Sequence, residues 1–466
     1  MLNLIWLAML ITAVVVAGLT GRLPEMMDGA FTGAEKAVMK VALPLLGVWA
    51  IWLGVMRLAE RSGLVLALAA VLRPVMRRLF PEVPSEHPAI GAMVMNMAAN
   101  MLGLGNAATP LGLRAMRLLE ALNPRPGTAT NAMVTFLALN TASIQILPLM
   151  AITILATAGA KSPTAIVVTA FLSSVCAASA GVFMAKWLQR WPAFRLEPLA
   201  VTAAAGAPQA EDSAPLEIER PDVTPLTPGK RAALWTFFAL FVGLFFLLLF
   251  PETFERVLQA LNAQWHAPLP PADFAGKPLW MRGLMSASLL AVPFLLSFFP
   301  LYAALRGVPV YEQFVDGAHE SWETAKRTVP YLVAMLVAIG MLQGAGVINL
   351  LTNALARPLA AIHFPAELVP LVLIRPLSGS AAKSVFIELV QRLGPDGVHR
   401  LFDPDGFVSR LAGTIYGSTE TTFYVIAIYF GSVSIRRTRH AIAVGLTADL
   451  VAVIASVALC HLVFGG

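Results

Sequence analysis

Residues 88–110 read PAIGAMVMNMAANMLGLGNAATP, and residues 364–383 read FPAELVPLVLIRPLSGSAAK. The apolar part of each, 88 to 102 and 364 to 378, is too short to be read as a full crossing of a hydrocarbon core ~30 Å thick. Each then runs into a polar break, Gly103 to Asn106 or Ser378 to Ser380, and restarts as an amphipathic helix. Backbone that leaves a helix at membrane depth must face protein or a water-filled cavity, so both stretches read as re-entrant hairpins.

The similarity extends outward from the two hairpins. Lys40 is followed by Pro44 and Gly54, then Arg73-Pro74 and Phe80-Pro81; Lys326 is followed by Pro330 and Gly340, then Arg357-Pro358 and Phe364-Pro365. Gly105-Asn106-Ala107-Ala108-Thr109 corresponds to Gly379-Ser380-Ala381-Ala382-Lys383. Asn140-Thr141-Ala142-Ser143 corresponds to Ser418-Thr419-Glu420-Thr421. Offsets kept in order over such lengths mark an internal repeat.

Composition supplies the setting. Of 466 residues 58% are hydrophobic and 13% charged, too little polar surface to coat a water-soluble globule. Full crossings are expected at 2–20, 41–59, 129–156, 163–185, 231–250, 281–300, 329–346, 407–430 and 438–464. One crossing precedes the first repeat and two precede the second, so counting turns the second upside down. The expected fold is an all-α polytopic membrane protein of two inverted-topology repeats, each with a re-entrant helical hairpin and a broken helix.

Between the halves, Pro192, Pro198, Pro208, Pro215, Pro221, Pro225 and Pro228 make 192–229 a flexible linker. The expected division is therefore a membrane half at 1–191 (repeat about 34–156), the linker, and a second half at 230–466 (repeat about 318–430). The net charge of +6 is read as Lys and Arg at cytoplasmic loop ends, such as Arg73, Arg77, Arg78 and Arg436, Arg437, Arg439, and not as a nucleic-acid surface. This places the N-terminus and linker on the cytoplasmic side of a bacterial inner membrane. Cys176 and Cys460 both lie in apolar runs and offer no disulfide framework.

The run Asn96-x-x-Ala99-Asn100-x-Leu102-Gly103-Leu104-Gly105-Asn106-Ala107-Ala108-Thr109-Pro110, with Phe136-x-Ala138-Leu139-Asn140-Thr141, resembles the spore maturation protein A family. Arg375-Pro376-Leu377-Ser378-Gly379-Ser380, with Gly417-Ser418-Thr419-Glu420-Thr421-Thr422-Phe423-Tyr424, resembles the spore maturation protein B family. The resemblance covers nearly all of both halves and implies that the two are fused here. Both families fall in the wider Gate, or nucleoside-recognition, group, which is similar to the membrane parts of concentrative nucleoside transporters and ferrous iron permeases. That implies a transporter-like helical fold with hairpins. It does not imply a substrate.

Polar side chains at membrane depth are costly and mark functional candidates. In the first half these are Asn100, Asn106, Thr109, Asn140 and Gln145. In the second they are Arg375, Ser378, Ser380, Lys383, Ser418 and Glu420, and Glu420 is expected to face Arg375 or Lys383 across the site. Helices restarting at Gly105 and Gly379 aim their positive ends at the cavity, which favours an anionic group. Hydroxyls and carbonyls at Thr141, Ser143, Thr419 and Thr421 have the chemistry to hold Na+ as a coupling ion, with a proton on Glu420 as the alternative. No other cofactor is expected. There is no phosphate-binding loop, no paired histidine spacing and no nucleophile constellation, so the chain does not read as an enzyme. The expected activity is secondary transport of a small polar or anionic solute by alternating access, with the bilayer and the solute as partners and a homo-oligomer left open. A non-transporting envelope or spore-maturation scaffold is the alternative.

Overall fold

The computed structural model describes residues 2–84, 87–103, 105–195, 224–254, 259, 277–347, 350, 364–392, 394 and 400–465. Most of the expected linker, and the Arg357-Pro358 signature of the second repeat, fall outside the described residues. Among those residues the architecture is helical, and the one β contact is an isolated bridge between Thr128 and Arg437. The first half runs α1 (Leu2–Thr20), α2 (Leu23–Glu35), a π-helical turn at Lys36–Ala42, α3 (Leu43–Arg61), α4 (Leu64–Leu79), α5 (Pro88–Met101), α6 (Gly105–Ala121), α7 (Asn131–Ala142), α8 (Leu149–Thr157) and α9 (Val167–Leu188). The second runs α10 (Pro228–Leu249), α11 (Leu279–Leu305), α12 (Val310–Gly344), α13 (Val369–Ile374), α14 (Gly379–Gln391), α15 (Phe407–Ser418), α16 (Thr422–Gly431) and α17 (Ala441–Phe464).

Several of the nine expected crossings come out differently. The run at 41–59 is the end of a 39-residue helical stretch from Leu23 to Arg61, and the run at 329–346 is the end of the 35-residue α12. Glu25, Asp28, Glu35 and Lys36 in one, and Glu312, Asp316, Glu320 and Glu323 in the other, dilute the apolar signal without interrupting the helix. The runs at 129–156 and 407–430 each split into two short helices. Five described helices are long and apolar enough to cross a membrane: Leu23–Arg61, Pro163–Leu188, Pro228–Leu249, Leu279–Leu305 and Ala441–Phe464.

Glycines bring the two longest helices together. A Cβ on Gly29 would overlap the carbonyl of Gly340, and one on Gly340 would overlap that of Gly29; Gly33 stands likewise against Leu336 and Gly344 against Glu25. Further along, a Cβ on Gly317 would lie 2.6 Å from the Leu53 carbonyl oxygen and 2.9 Å from Gly54 Cα. Numbers rise on one helix as they fall on the other, so α2–α3 and α12 run antiparallel. Small residues permit such backbone contact, which drives helix association where lipid removes the hydrophobic advantage.

The last helices of the two halves pair in the same sense. The position built on Gly181 of α9 meets Ala448 of α17 at 3.4 Å. Thr169 Oγ1 lies 2.9 Å from Thr414 Oγ1, to which Cys460 Sγ donates at 3.4 Å. Elements then exchange partners: α7 packs on α17 as α15 packs on α9, α7 meets α16 as α15 meets α8, and α6 meets α16 as α14 meets α8. Reciprocal exchange is the contact pattern of a two-fold relation.

Two large cores result, beside a small cluster of Ala13, Ala17, Met26 and Ala345, and the broken helices pass between the two. One contains Phe136 of α7 together with Tyr429 and Phe430 of α16. The other contains Ile152 and Leu155 of α8 together with Phe386 of α14 and Ile415 of α15. Each break thus carries its chain from one core into the other.

Candidate functional site

The first hairpin turns at Gly103, whose φ of +78° suits a residue without Cβ. Its second arm resumes at Gly105. The second hairpin turns after Ile374 and restarts at Gly379, with the Ser378 hydroxyl accepting the Ala381 amide at 3.2 Å as an N-cap. In both halves the hairpin tip is tied to the interrupted helix that follows, inside the break in the first half and at the first turn after it in the second. The Ile146 amide donates to the Met101 carbonyl at 3.0 Å, and the Phe423 amide donates to the Pro376 carbonyl at 3.0 Å.

The breaks themselves meet. Thr141 lies in the last turn of α7 and Glu420 in the extended stretch between α15 and α16; the Glu420 amide donates to the Thr141 carbonyl at 2.7 Å. Ser143 ends α7 in a left-handed conformation, φ +39°, and its hydroxyl accepts from Gln145 Nε2 at 3.3 Å. The Thr141 hydroxyl is buried without a partner.

A network of amides and one phenol lies beside this junction. Asn140 Oδ1 accepts from Asn100 Nδ2 and from the Tyr429 hydroxyl, each at 3.1 Å, while Asn140 Nδ2 donates to the Phe136 carbonyl at 2.9 Å. Asn96 Nδ2 donates to the Ala108 carbonyl at 2.8 Å and reaches the Tyr429 oxygen at 3.5 Å. The network thereby joins both arms of the first hairpin to α7 and to the second-half helix α16.

The second half contributes the buried cation. Arg375 Nη2 donates to the Tyr416 carbonyl at 2.9 Å and to the Thr419 carbonyl, and its guanidinium lies 4.4 Å from the Tyr416 ring centroid. Positive charge at the C-terminal end of α15 complements the helix dipole and the carbonyls that the break leaves without partners. Glu420 forms no ion pair within 4.0 Å with Arg375 or Lys383, although its charge acts on the buried Lys383. The carbonyls occupy Arg375, and Lys383 Nζ lies over the Trp49 ring at 5.5 Å.

Glu420, Asn100 and Gln145 line one cavity of ≈ 280 Å³, with Trp49, Trp52 and Arg57 of α3 and Glu320 of α12. The remaining expected residues lie around this centre. Ser418 Oγ donates to the Ile415 carbonyl at 2.9 Å inside α15, and the Ser380 carbonyl accepts from Ser384 Oγ at 3.1 Å inside α14. The Thr421 hydroxyl packs against Gly379. Thr109 is half-buried on α6, and the side chain of Asn106 lies outside the described residues.

Tyr429, Tyr416, Trp49 and Asp449 were not anticipated from the sequence. Asp449 is 7% exposed; its Oδ2 accepts from Thr422 Oγ1 at 2.6 Å and its Oδ1 has no partner. A lone acid inside the apolar run 438–464 was a signal of the same kind that marked Glu420. The aromatics carried none, because rings at helical spacing read as ordinary core.

Hairpins, broken helices and apolar spans define a multi-pass helical membrane protein built from two related halves. The Gate family model, described as nucleoside recognition, matches twice, at residues 42–160 and 325–436. Spore maturation protein B of Bacillus subtilis (strain 168) is 42% identical over 178 residues, which are 38% of this chain and 95% of that protein. Spore maturation protein A of the same organism is 38% identical over 175 residues, 38% of this chain and 89% of that protein. The chain belongs to this Gate-domain family of spore maturation proteins. Among solved structures, the Alcanivorax borkumensis YdaH transporter matches with 16% identity and a TM-score of 0.37, over 99% of this chain and 96% of that one. That likeness is too distant to bring a substrate or a topology to this chain.

Proposed function

We propose that this protein is a secondary transporter of the bacterial cytoplasmic membrane, moving a small polar solute by alternating access between two inverted repeats. The Thr141–Glu420 backbone contact carries the reading, because it joins the two helix breaks directly beside a cavity that already holds Asn100, Gln145 and Glu420. Antiparallel packing of α2–α3 on α12 supports inversion of the repeats. Under this reading the N-terminus and the linker are cytoplasmic, as the Lys and Arg distribution favours. Arg57 and the carboxylates of Glu320 and Glu420 give the cavity mixed charge, which favours a polar or zwitterionic solute over a simple anion. Na+ held near Thr141, Ser143, Thr419 and Thr421, or a proton on Glu420, supplies the coupling. The partnerless Thr141 hydroxyl favours the ion.

The test is uptake into proteoliposomes of a panel of labelled amino acids, nucleosides and dicarboxylates, under imposed Na+ and proton gradients. Gradient-dependent uptake of at least one solute class, lost in Glu420→Gln with the unfolding midpoint retained, is expected. Uptake of none of them, with Glu420→Gln behaving as wild type in vivo, would identify a scaffold instead.

A further inference from the structure

A second cavity lies away from the breaks, and its chemistry is different. It occupies ≈ 350 Å³ between α9, α11 and α17. These three elements belong to helices long and apolar enough to cross a membrane. Leu284, Met285 and Leu289 of α11 face Leu459 and Val463 of α17 across it. At 1.5 Å per residue, the α11 wall from Leu284 to Leu289 is about 7.5 Å deep, enough for part of an acyl chain.

One end of this trough is polar and basic. Lys277, just before α11, and Arg410 of α15 line it together with the hydroxyl residues Ser162 and Thr164. Arg410 lies 4.8 Å from the Phe464 ring centroid; its closest carboxylate is Asp405 at 3.7 Å, and its Nε is buried with no hydrogen-bond partner. Asp405 is engaged elsewhere, accepting from the Lys161 and Ser162 amides at 2.6 and 3.0 Å. Two cations with donors to spare therefore stand at the mouth of an apolar trough. Trp280, 46% exposed beside that mouth, has the amphipathic ring that marks a membrane interface.

We propose that this cleft binds an anionic phospholipid, with the headgroup phosphate at Lys277 and Arg410 and one acyl chain along α11 and α17. A zwitterionic lipid such as phosphatidylcholine fills the trough but brings a cationic choline toward Lys277 and Arg410, which offsets the attraction of its phosphate. A free phosphate meets the cations but leaves the trough unfilled. Under the proposed orientation this mouth faces away from the cytoplasm, and an anionic headgroup there meets both the two cations and the apolar trough.

The experiment is native mass spectrometry of the detergent-purified full chain with added phosphatidylglycerol, phosphatidylcholine or inorganic phosphate. Retention of phosphatidylglycerol over phosphatidylcholine by about thirtyfold is expected from two cations at about 1 kcal/mol each. Lys277→Glu removes headgroup attraction at the rim, and Leu289→Trp fills the trough further along α11; both should abolish the preference while the unfolding midpoint without lipid stays within a few degrees. A Leu289→Trp protein that fails to fold leaves Lys277→Glu as the deciding variant. Equal retention of the two lipids, unchanged retention in Lys277→Glu, or displacement of phosphatidylglycerol by equimolar inorganic phosphate would each overturn the proposal.

Discussion

The amide of Glu420 and the carbonyl of Thr141, 2.7 Å apart, are backbone groups of two different halves, each freed by the interruption of its own helix. Helix ends leave donors and acceptors that hydrocarbon cannot satisfy. In this protein one break answers the other. A side-chain substitution cannot delete that bond, so its importance must be tested through what positions it.

Arg375 is the first such support. It holds the Tyr416 and Thr419 carbonyls and stacks on the Tyr416 ring. Lysine keeps the charge but has neither the planar fork nor the stacking face. Arg375→Lys is expected to cost about 2 kcal/mol, seen as a lowered unfolding midpoint in detergent. Wild-type stability in this variant would show that charge alone suffices.

Tyr429 is the second. Its hydroxyl donates to Asn140, and Gly112 leaves the space it occupies: a Cβ there would lie 2.6 Å from the ring carbon Cε1. Tyr429→Phe should lose about 1 kcal/mol by leaving part of a buried amide network unpaired. Gly112→Ala should lower stability in the same way by displacing the ring, and unfolding midpoints measured in the two variants side by side check the shared mechanism.

The antiparallel helix pair predicts a steric effect. Gly340→Ala places a methyl against the Gly29 carbonyl, with no flexible side chain to yield. Overpacking of this kind costs about 1–3 kcal/mol. Gly243→Ala, where a Cβ meets nothing within 4 Å, is the matched control and should leave the midpoint unchanged.

Acid should loosen the first hairpin. His87 caps α5 by accepting the Ala89 amide at Nδ1, 3.2 Å away, and partial burial lowers its pKa below the ordinary 6.5. A depressed histidine favours the neutral ring in the folded state, so its contribution is complete above pH 6.5 and is lost as pH falls toward the folded value. Protonation also converts the acceptor into a donor and removes the cap, worth about 1 kcal/mol. His87→Asn keeps an acceptor that does not titrate; it should flatten the acid limb of a midpoint-against-pH curve that wild type shows.

The hairpins, the repeat and the membrane setting were legible in the sequence because they rest on local properties: run length, helix breakers and spacing. Asn100, Gln145 and Glu420 were marked by the same cost of polarity at depth, and they line one cavity. That Glu420 forms no direct ion pair with either cation could not be read from the sequence, because helix-end carbonyls hold Arg375 and the Trp49 ring lies against Lys383. The lengths of α2–α3 and α12 were cut short for a related reason: acidic residues near one end lower mean hydropathy while leaving helix geometry intact.

Sequence by itself determined that this chain lives in a bilayer, that it contains the same module twice, and where each module interrupts its helices, since hydrocarbon length and backbone hydrogen bonding fix these residue by residue. Tertiary structure alone decided that the two interruptions touch, that Tyr429 crosses from one half to the amides of the other, and which carbonyls Arg375 serves. Those contacts join residues 289 positions apart at Tyr429–Asn140, and packing between helices, not the order of residues along them, selects such partners.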